Sequence, residues 1–239
     1  MACTREMIRN RKTLAFVLST ALVLSAFLAD SASASPLTVN EGSTGTTYYT
    51  ADQDGGNQVY KTPEGEVKCN TAVYSATSTG FSVSELTFTP DYTNCTAFGF
   101  ANVDLNTNGC TYTFDEPTAI AGAVTWDPSQ IHLVCPAGKS IEITPTFTFL
   151  GMQVAICTQF IGPQTPGGGH IVGKGAGSNT ANGMDITLEI TLEGIAYTST
   201  GGQCGSKEVT HTDGVAFGLS TLRAFSNAAH TTQRGITFS

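Results

Sequence analysis

The chain has 239 residues and a net charge of −8, and only 13% of its residues are charged. So few charges exclude a coiled coil or a long helical bundle, which needs charged helix formers at helical spacing. Hydrophobic residues make up 40% of the chain, which excludes charge-driven disorder. The acidic balance, without a basic patch, argues against nucleic acid as a partner. An ordered, Thr- and Gly-rich β-protein is therefore expected.

The first 34 residues have the pattern of a signal peptide. Four basic residues lie within residues 5–12, an apolar run covers residues 14–29, and Ala32-Ser33-Ala34 matches the motif that signal peptidase cleaves. The apolar run has 16 residues, fewer than the roughly 20 that a spanning helix needs. We therefore expect residues 1–34 to be removed and the protein to be secreted, extracellular and without a stable membrane anchor.

Six cysteines remain after this cleavage. They are Cys69, Cys95, Cys110, Cys135, Cys157 and Cys204. An even number in an exported chain predicts three disulfide bonds, although sequence alone does not select their connectivity. Their order along the chain favours sequential pairing, Cys69–Cys95, Cys110–Cys135 and Cys157–Cys204, with each pair joining neighbouring strands. No two cysteines have the short spacing of a zinc site.

Short apolar segments separated by turn signals predict strands along most of the chain. Residues 35–56 are a polar lead-in that is expected to be flexible, and a single β-rich domain is expected over 57–239. The Asn108-Gly109 pair predicts a hairpin. Apolar and polar residues alternate over nine positions within 185–197, which predicts a strand with one buried face. The Gly-rich residues 162–183 are expected to form a flexible surface loop.

These elements favour an all-β fold, an antiparallel β-sandwich stabilised by three disulfides, with a barrel as the alternative. Four segments also resemble a known group, namely residues 91–95 (DYTNC), 103–114 (VDLNTNGCTYTF), 132–141 (HLVCPAGKSI) and 194–204 (GIAYTSTGGQC). They are similar to secreted six-cysteine proteins of soil actinobacteria, a group without an assigned function. The resemblance implies a secreted all-β domain and implies no catalytic residue.

One motif has the spacing of a calcium loop. Asp104, Asn106, Asn108 and Asp115 place side-chain oxygens at its first, third, fifth and twelfth positions. A calcium-stabilised adhesion module would use them as metal ligands, and no other cofactor is predicted. The flanking segments are expected to be strands, whereas an EF-hand needs helices, so a plain hairpin turn is the competing interpretation.

Trp126 is the only tryptophan and precedes the turn residues Asp127-Pro128. It suits either a sugar-stacking platform or a ring that covers the core. The chain contains none of the motifs G-x-S-x-G, S-x-x-K and H-E-x-x-H. We therefore expect a non-catalytic extracellular domain, envelope-associated or binding a cell-surface polymer. The alternative is a secreted hydrolase, in which a histidine such as His132 would meet a carboxylate and a hydroxyl.

Overall fold

The structure, a computed structural model, describes residues 36–39, 45–56, 58–80, 82–120, 122–175, 182–201 and 209–238. All of them belong to one compact unit that covers residues 32–239. The predicted signal peptide, Cys204 and parts of the predicted lead-in and Gly-rich loop lie outside the described residues. No helix in the described ranges is long and apolar enough to cross a membrane.

The described residues form twenty β-strands and one 3₁₀ helix, Pro128–Gln130. The first ten strands are β1 (Leu37–Val39), β2 (Thr46–Gln53), β3 (Gln58–Thr62), β4 (Gly65–Thr79), β5 (Ser82–Val83), β6 (Glu85–Ala97), β7 (Ala101–Asn106), β8 (Thr111–Asp115), β9 (Thr118–Ile120) and β10 (Ala123–Trp126). The others are β11 (Ile131–Val134), β12 (Ile141–Phe149), β13 (Met152–Ala155), β14 (Thr158–Ile161), β15 (Gly168–Lys174), β16 (Asn182–Gly183), β17 (Ile186–Thr200), β18 (His211–Phe225), β19 (Gln233–Arg234) and β20 (Ile236–Phe238). The predicted antiparallel all-β fold is confirmed.

The main sheet closes on itself. From β17, hydrogen-bonded neighbours follow in the order β14, β12, β7, β6 and β4. The next position is shared by β2 and β3, each of which pairs with β4 on one side and with β18 on the other. The ring closes because β18 pairs with β17. Successive pairings use opposite edges of a strand: Glu142 pairs with Asn106 on one side and with Phe160 on the other. This closed path has the strand order of a barrel, and the strands that form it surround an interior.

The strand predicted most clearly, β17, shows how the sequence selects the inner face. Ile186 and Leu192 are buried, whereas Glu189 and Glu193 on the other face are exposed. The pairing with β18 shifts register after Leu192. Gly194 lies in this shift and has a φ of 66°. Glycine adopts this conformation without steric strain because it has no Cβ atom.

Two disulfide bonds join segments that are neighbours in the sheets. Cys69–Cys95 links β4 to β6, and Cys110–Cys135 links the start of β8 to the end of β11. They are two of the three pairs that sequential pairing predicts. Cys157 is also disulfide-bonded, and its predicted partner Cys204 lies outside the described residues.

Two segments that were expected to be flexible contain strands instead. The lead-in, residues 35–56, contains β1 and β2, and Tyr49 of β2 is completely buried. The Gly-rich residues 162–183 contain β15, which pairs with β10 and β17. A side chain on Gly169 would collide with the backbone carbonyl of Thr191. Glycine in β15 therefore allows close packing of two strands, a role that composition alone does not reveal.

The predicted turn at Asn108-Gly109 is present, but the predicted hairpin is wrong. The φ angles of these residues are 52° and 78°, and the N–H of Cys110 donates to the carbonyl of Thr107 at 2.8 Å. Instead of pairing with each other, β7 pairs with β6 and β12, and β8 pairs with β6 and β11. The long strand β6 accommodates both, because one half contacts β7 and the other half contacts β8.

We expect Gly169→Ala to lower the free energy of unfolding by more than about 2 kcal/mol, because the methyl group meets the Thr191 carbonyl and the φ of 85° is unfavourable for alanine. Gly138→Ala is the matched control, since Gly138 has a φ of 71° with no atom within 4 Å of an added Cβ. It should lose about 1 kcal/mol. Denaturant unfolding measures both values, and equal losses would contradict close packing of β15 on β17.

Candidate ligand-binding cavity

The interior of the closed ring of strands contains an apolar cavity of about 130 Å³. Much of its wall is aliphatic and includes Leu105, Ile143, Ile161, Ile171, Ile190 and Leu192. Engineered apolar cavities of about 150 Å³ stay dry and bind benzene. Eight-stranded barrels are also about the size at which the interior either fills with side chains or holds one small ligand. This cavity therefore has space for a molecule of roughly one ring.

Three tyrosines bring hydroxyl groups to the cavity wall. Tyr74 of β4 donates a hydrogen bond to the hydroxyl of Tyr92 of β6 at 3.3 Å, and the hydroxyls of Tyr92 and Tyr112 of β8 share a bond of 3.1 Å. The ring of Tyr74 lies 5.8 and 6.2 Å from the other two, edge to face. Three hydroxyls form two mutual bonds, so one O–H has no acceptor in the described part of the chain. It remains free to donate to a ligand.

Tyr60 of β3 provides a second donor. Its hydroxyl is buried and has no hydrogen-bond partner among the described residues, and the side chain lines the cavity. Burial above all raises the pKa of Tyr60, with a further contribution from the neighbouring Tyr197. The hydroxyl is therefore a neutral donor. An unsatisfied buried polar group costs about 1–3 kcal/mol, which a ligand acceptor would offset.

Two glutamines also line the cavity, but the protein itself uses their amide groups. Gln58 donates to the carbonyl of Leu219 at 3.2 Å and to the hydroxyl of Ser220 at 3.0 Å. Gln164 accepts from the N–H of Ala196 at 2.6 Å and donates to its carbonyl at 2.8 Å. The glutamines thus tie strands together, and the tyrosines remain as the donors for a ligand.

A polar cluster formed by Glu64, Gln159, Tyr197 and His211 lies beside Tyr60. The carboxylate of Glu64 accepts from Tyr197 at 2.8 Å and from Gln159 at 3.1 Å. His211 stacks on Tyr197 with ring centroids 5.0 Å apart, and its Nε2 is 3.9 Å from Glu64. The rings of Tyr60 and Tyr197 meet edge to face at 6.3 Å. The cluster is therefore a hydrogen-bonded polar boundary next to the apolar cavity.

Trp126 belongs to the core. It is 6% exposed, and its indole N–H donates to the carbonyl of Asp115 at 2.9 Å. Its ring contacts Phe114 of the main fold at 6.2 Å and Phe238 of the small sheet β16-β20-β1-β5 at 5.4 Å. The interpretation as an exposed sugar-stacking platform is therefore wrong, because the packing of these rings needs the indole inside.

The residues of the predicted calcium loop have other partners. The side chain of Asn106 accepts from the N–H of Asn108 at 2.9 Å, and the amide of Asn108 donates to the carbonyl of Ser140 at 2.9 Å. Asp104 lies on β7, whereas Asp115 lies on β8 and contacts His132. No group of three His, Cys, Asp or Glu side chains in the described ranges could hold a metal ion. These contacts favour the turn interpretation.

His132 contacts both a carboxylate and a hydroxyl. Its Nε2 is 3.3 Å from Asp115, and its Nδ1 is 2.9 Å from the hydroxyl of Thr165. These are residue types that the hydrolase alternative requires. Thr165 is exposed and the other two side chains are partly exposed, whereas catalysis benefits from a site that excludes water. The contact ties β8 and β11 to the connection before β15.

Searches of protein-family models, curated proteins and solved structures find no match to the chain. The resemblance to secreted actinobacterial proteins therefore stays a prediction, and the function has to be argued from the cavity.

The tyrosines of the cavity carry almost no signal in the sequence. The relevant pattern in the sequence is alternation, because Tyr112 and Phe114 share one face of β8 while Thr111 and Thr113 share the other. Alternation assigns residues to a face of a strand, but it does not show that the face encloses an empty space.

The cavity tyrosines predict a loss of stability at alkaline pH. Burial raises the pKa of Tyr74, Tyr92 and Tyr112 above the usual 10.0. The unfolded chain loses these protons near pH 10 while the folded chain keeps them, so their contribution to stability is complete below pH 10 and falls above it. In a combined absorbance and circular dichroism titration, these phenols should ionise only as the protein unfolds. Ionisation of all seven tyrosines near pH 10 in a folded protein would contradict this.

Tyr60→Phe is expected to raise the free energy of unfolding by about 1 kcal/mol, because it removes a buried hydroxyl without a partner. Tyr197→Phe is the matched control, since it removes a hydroxyl that donates to Glu64, and it should lower stability by about 1–3 kcal/mol. Denaturant unfolding distinguishes the two changes. A similar loss in both variants would mean that the Tyr60 hydroxyl is satisfied.

Proposed function

We propose that the protein is an exported, non-catalytic binding protein that holds one small, uncharged, mainly apolar molecule inside its barrel. The observation that carries the proposal is the apolar cavity of about 130 Å³, whose lining includes Tyr60, a residue with a buried hydroxyl that has no partner among the described residues. The predicted signal peptide and the disulfide bonds support an extracellular setting.

The cavity wall indicates the chemistry of the ligand. None of the residues that line it is charged, and a charged ligand would lose its hydration without gaining a partner of opposite charge. The tyrosines present O–H donors, so the ligand needs an oxygen acceptor such as a ketone, aldehyde or ester carbonyl. A molecule of one ring with one such oxygen satisfies both requirements.

The volume of the cavity, about 130 Å³, favours a small molecule over the surface polymer that the sequence suggests. Polymer binding through sugar stacking on Trp126 would need that ring to be exposed. Trp126, the residue predicted for that role, lies in the core. Association with the cell envelope remains compatible with a barrel that carries its ligand inside.

The test compares two ligands of nearly the same shape. Acetophenone has a carbonyl oxygen where α-methylstyrene has a methylene group, so only acetophenone accepts a hydrogen bond from Tyr60. We expect calorimetric titration of the oxidised protein to show about tenfold tighter binding of acetophenone, equivalent to roughly 1.4 kcal/mol.

The same titration in Tyr60→Phe should bring the two affinities close together, because the donor is removed while the apolar wall is kept. Tyr197→Phe serves as the control, because its hydroxyl is bound to Glu64, and it should keep the preference for acetophenone. If the wild-type protein binds neither ligand, the proposed function is wrong.

A further inference from the structure

Seven large apolar side chains are exposed at two neighbouring chain reversals, which we call the apolar tip. They are Phe98, Phe100, Phe147, Phe149, Leu150, Met152 and Val154. The first two lie in the turn between β6 and β7, and the others lie in the hairpin β12–β13. The two reversals are adjacent, because β7 pairs with β12 through Asn102 and Thr146.

The hairpin of the apolar tip has one apolar face and one polar face. Phe147 is paired with Val154, and Phe149 with Met152. Directly opposed residues of antiparallel strands project to the same side. These four side chains therefore form one continuous apolar surface, while Thr148 and its partner Gln153 project to the other side.

Exposure increases toward the end of the hairpin. It is 38% for Phe147 and Val154, 57% for Phe149, 64% for Met152 and 83% for Leu150. The apolar residues thus project outward from the barrel. From Phe147 to Phe149 the strand advances about 7 Å, which falls within the roughly 5–10 Å that interfacial segments penetrate into a lipid layer.

The turn residues of the apolar tip differ from those that the turn geometry favours. In the described part of the chain, three residue pairs have positive φ at both positions, namely Phe98-Gly99 (55° and 75°), Asn108-Gly109 (52° and 78°) and Leu150-Gly151 (50° and 81°). Asn-Gly is the favoured pair, and a bulky residue there is an outlier. The ring of Phe98 covers Gly65, whereas Leu150 is exposed. No contact among the described residues explains a leucine in this conformation. We therefore infer that the Leu150 side chain has a role other than stabilising the fold.

The apolar tip also lacks charge. Residues 92–103 and 143–173 contain no Asp, Glu, Lys or Arg, although the whole chain carries −8. Protein interfaces usually include hydrogen bonds at intervals across their area, and none of the seven side chains can form one. A neutral lipid surface matches both properties, while an anionic one would repel the rest of the acidic protein.

We propose that the apolar tip inserts into the surface of a zwitterionic lipid bilayer and holds the protein there reversibly. The aromatic and aliphatic side chains leave water, and the polar face of the hairpin stays with the headgroups. This inference does not depend on a ligand in the cavity.

The test is co-sedimentation with phosphatidylcholine vesicles. Leu150→Asn should weaken binding about tenfold, because it removes a leucine side chain that is buried in lipid only in the bound state. It should also keep or raise the melting temperature, because asparagine suits a φ of 50°. If the variant is at least as stable as the wild type and binds vesicles less, the loss of binding results from the missing side chain and not from damage to the fold. Ile120→Asn is the matched control, since Ile120 is 43% exposed and lies outside the apolar tip, and it should bind like the wild type.

Binding is also expected to persist in 0.5 M salt, since no charge in the apolar tip takes part. Failure of the wild-type protein to sediment with vesicles, or full binding by Leu150→Asn, would overturn the proposal. Dimerisation that Leu150→Asn abolishes, in a protein that does not bind vesicles, would instead identify a second copy of the chain as the occupant.

Discussion

Closure of the main sheet is the constraint on which the other features depend. The pairing of β17 with both β14 and β18 turns an open sheet into a ring. The tyrosines lie on β3, β4, β6 and β8, which are successive hydrogen-bonded neighbours, and the ring places the opposite wall of the cavity against them. The same closure creates an interior that the side chains of its wall have to fill. An interior of this width is filled only if its side chains are large enough, and here small residues such as Cys69 and Ala216 stand on the wall.

Each of the two places proposed to bind something contains a locally unfavourable feature. The interior contains a buried hydroxyl without a partner, and the hairpin turn contains a leucine with positive φ. Other parts of the fold stabilise the protein against such costs: the disulfide bonds, the packing of Trp126 between two sheets, and the glutamines that join neighbouring strands. Unfavourable residues surrounded by a well-stabilised fold are typical of functional sites.

The sequence predicts what short-range patterns determine. Alternation defines β17, the Asn108-Gly109 pair defines a turn, and the order of the cysteines matches the two disulfides seen. It does not predict what long-range pairing determines. The turn residues predict that the chain reverses, but they do not predict which strand pairs with β7. The glycines of β15 are typical of a flexible loop, and only the structure shows that Gly169 packs against the backbone of Thr191. The cavity tyrosines cannot be predicted either, because the cavity wall is formed by segments that are distant in the sequence.

The order of the disulfides has a consequence for how the protein is made. Cys95 precedes Cys110, so the first pair ends before the second begins. A chain that emerges from its N-terminus into an oxidising compartment therefore completes Cys69–Cys95 before a competing cysteine of the second pair appears. Each thiol meets its native partner first, and the slow exchange of wrongly formed bridges, which takes minutes to hours without a catalyst, is avoided for these two bonds. In an exported chain, these two bonds can therefore form in step with its emergence.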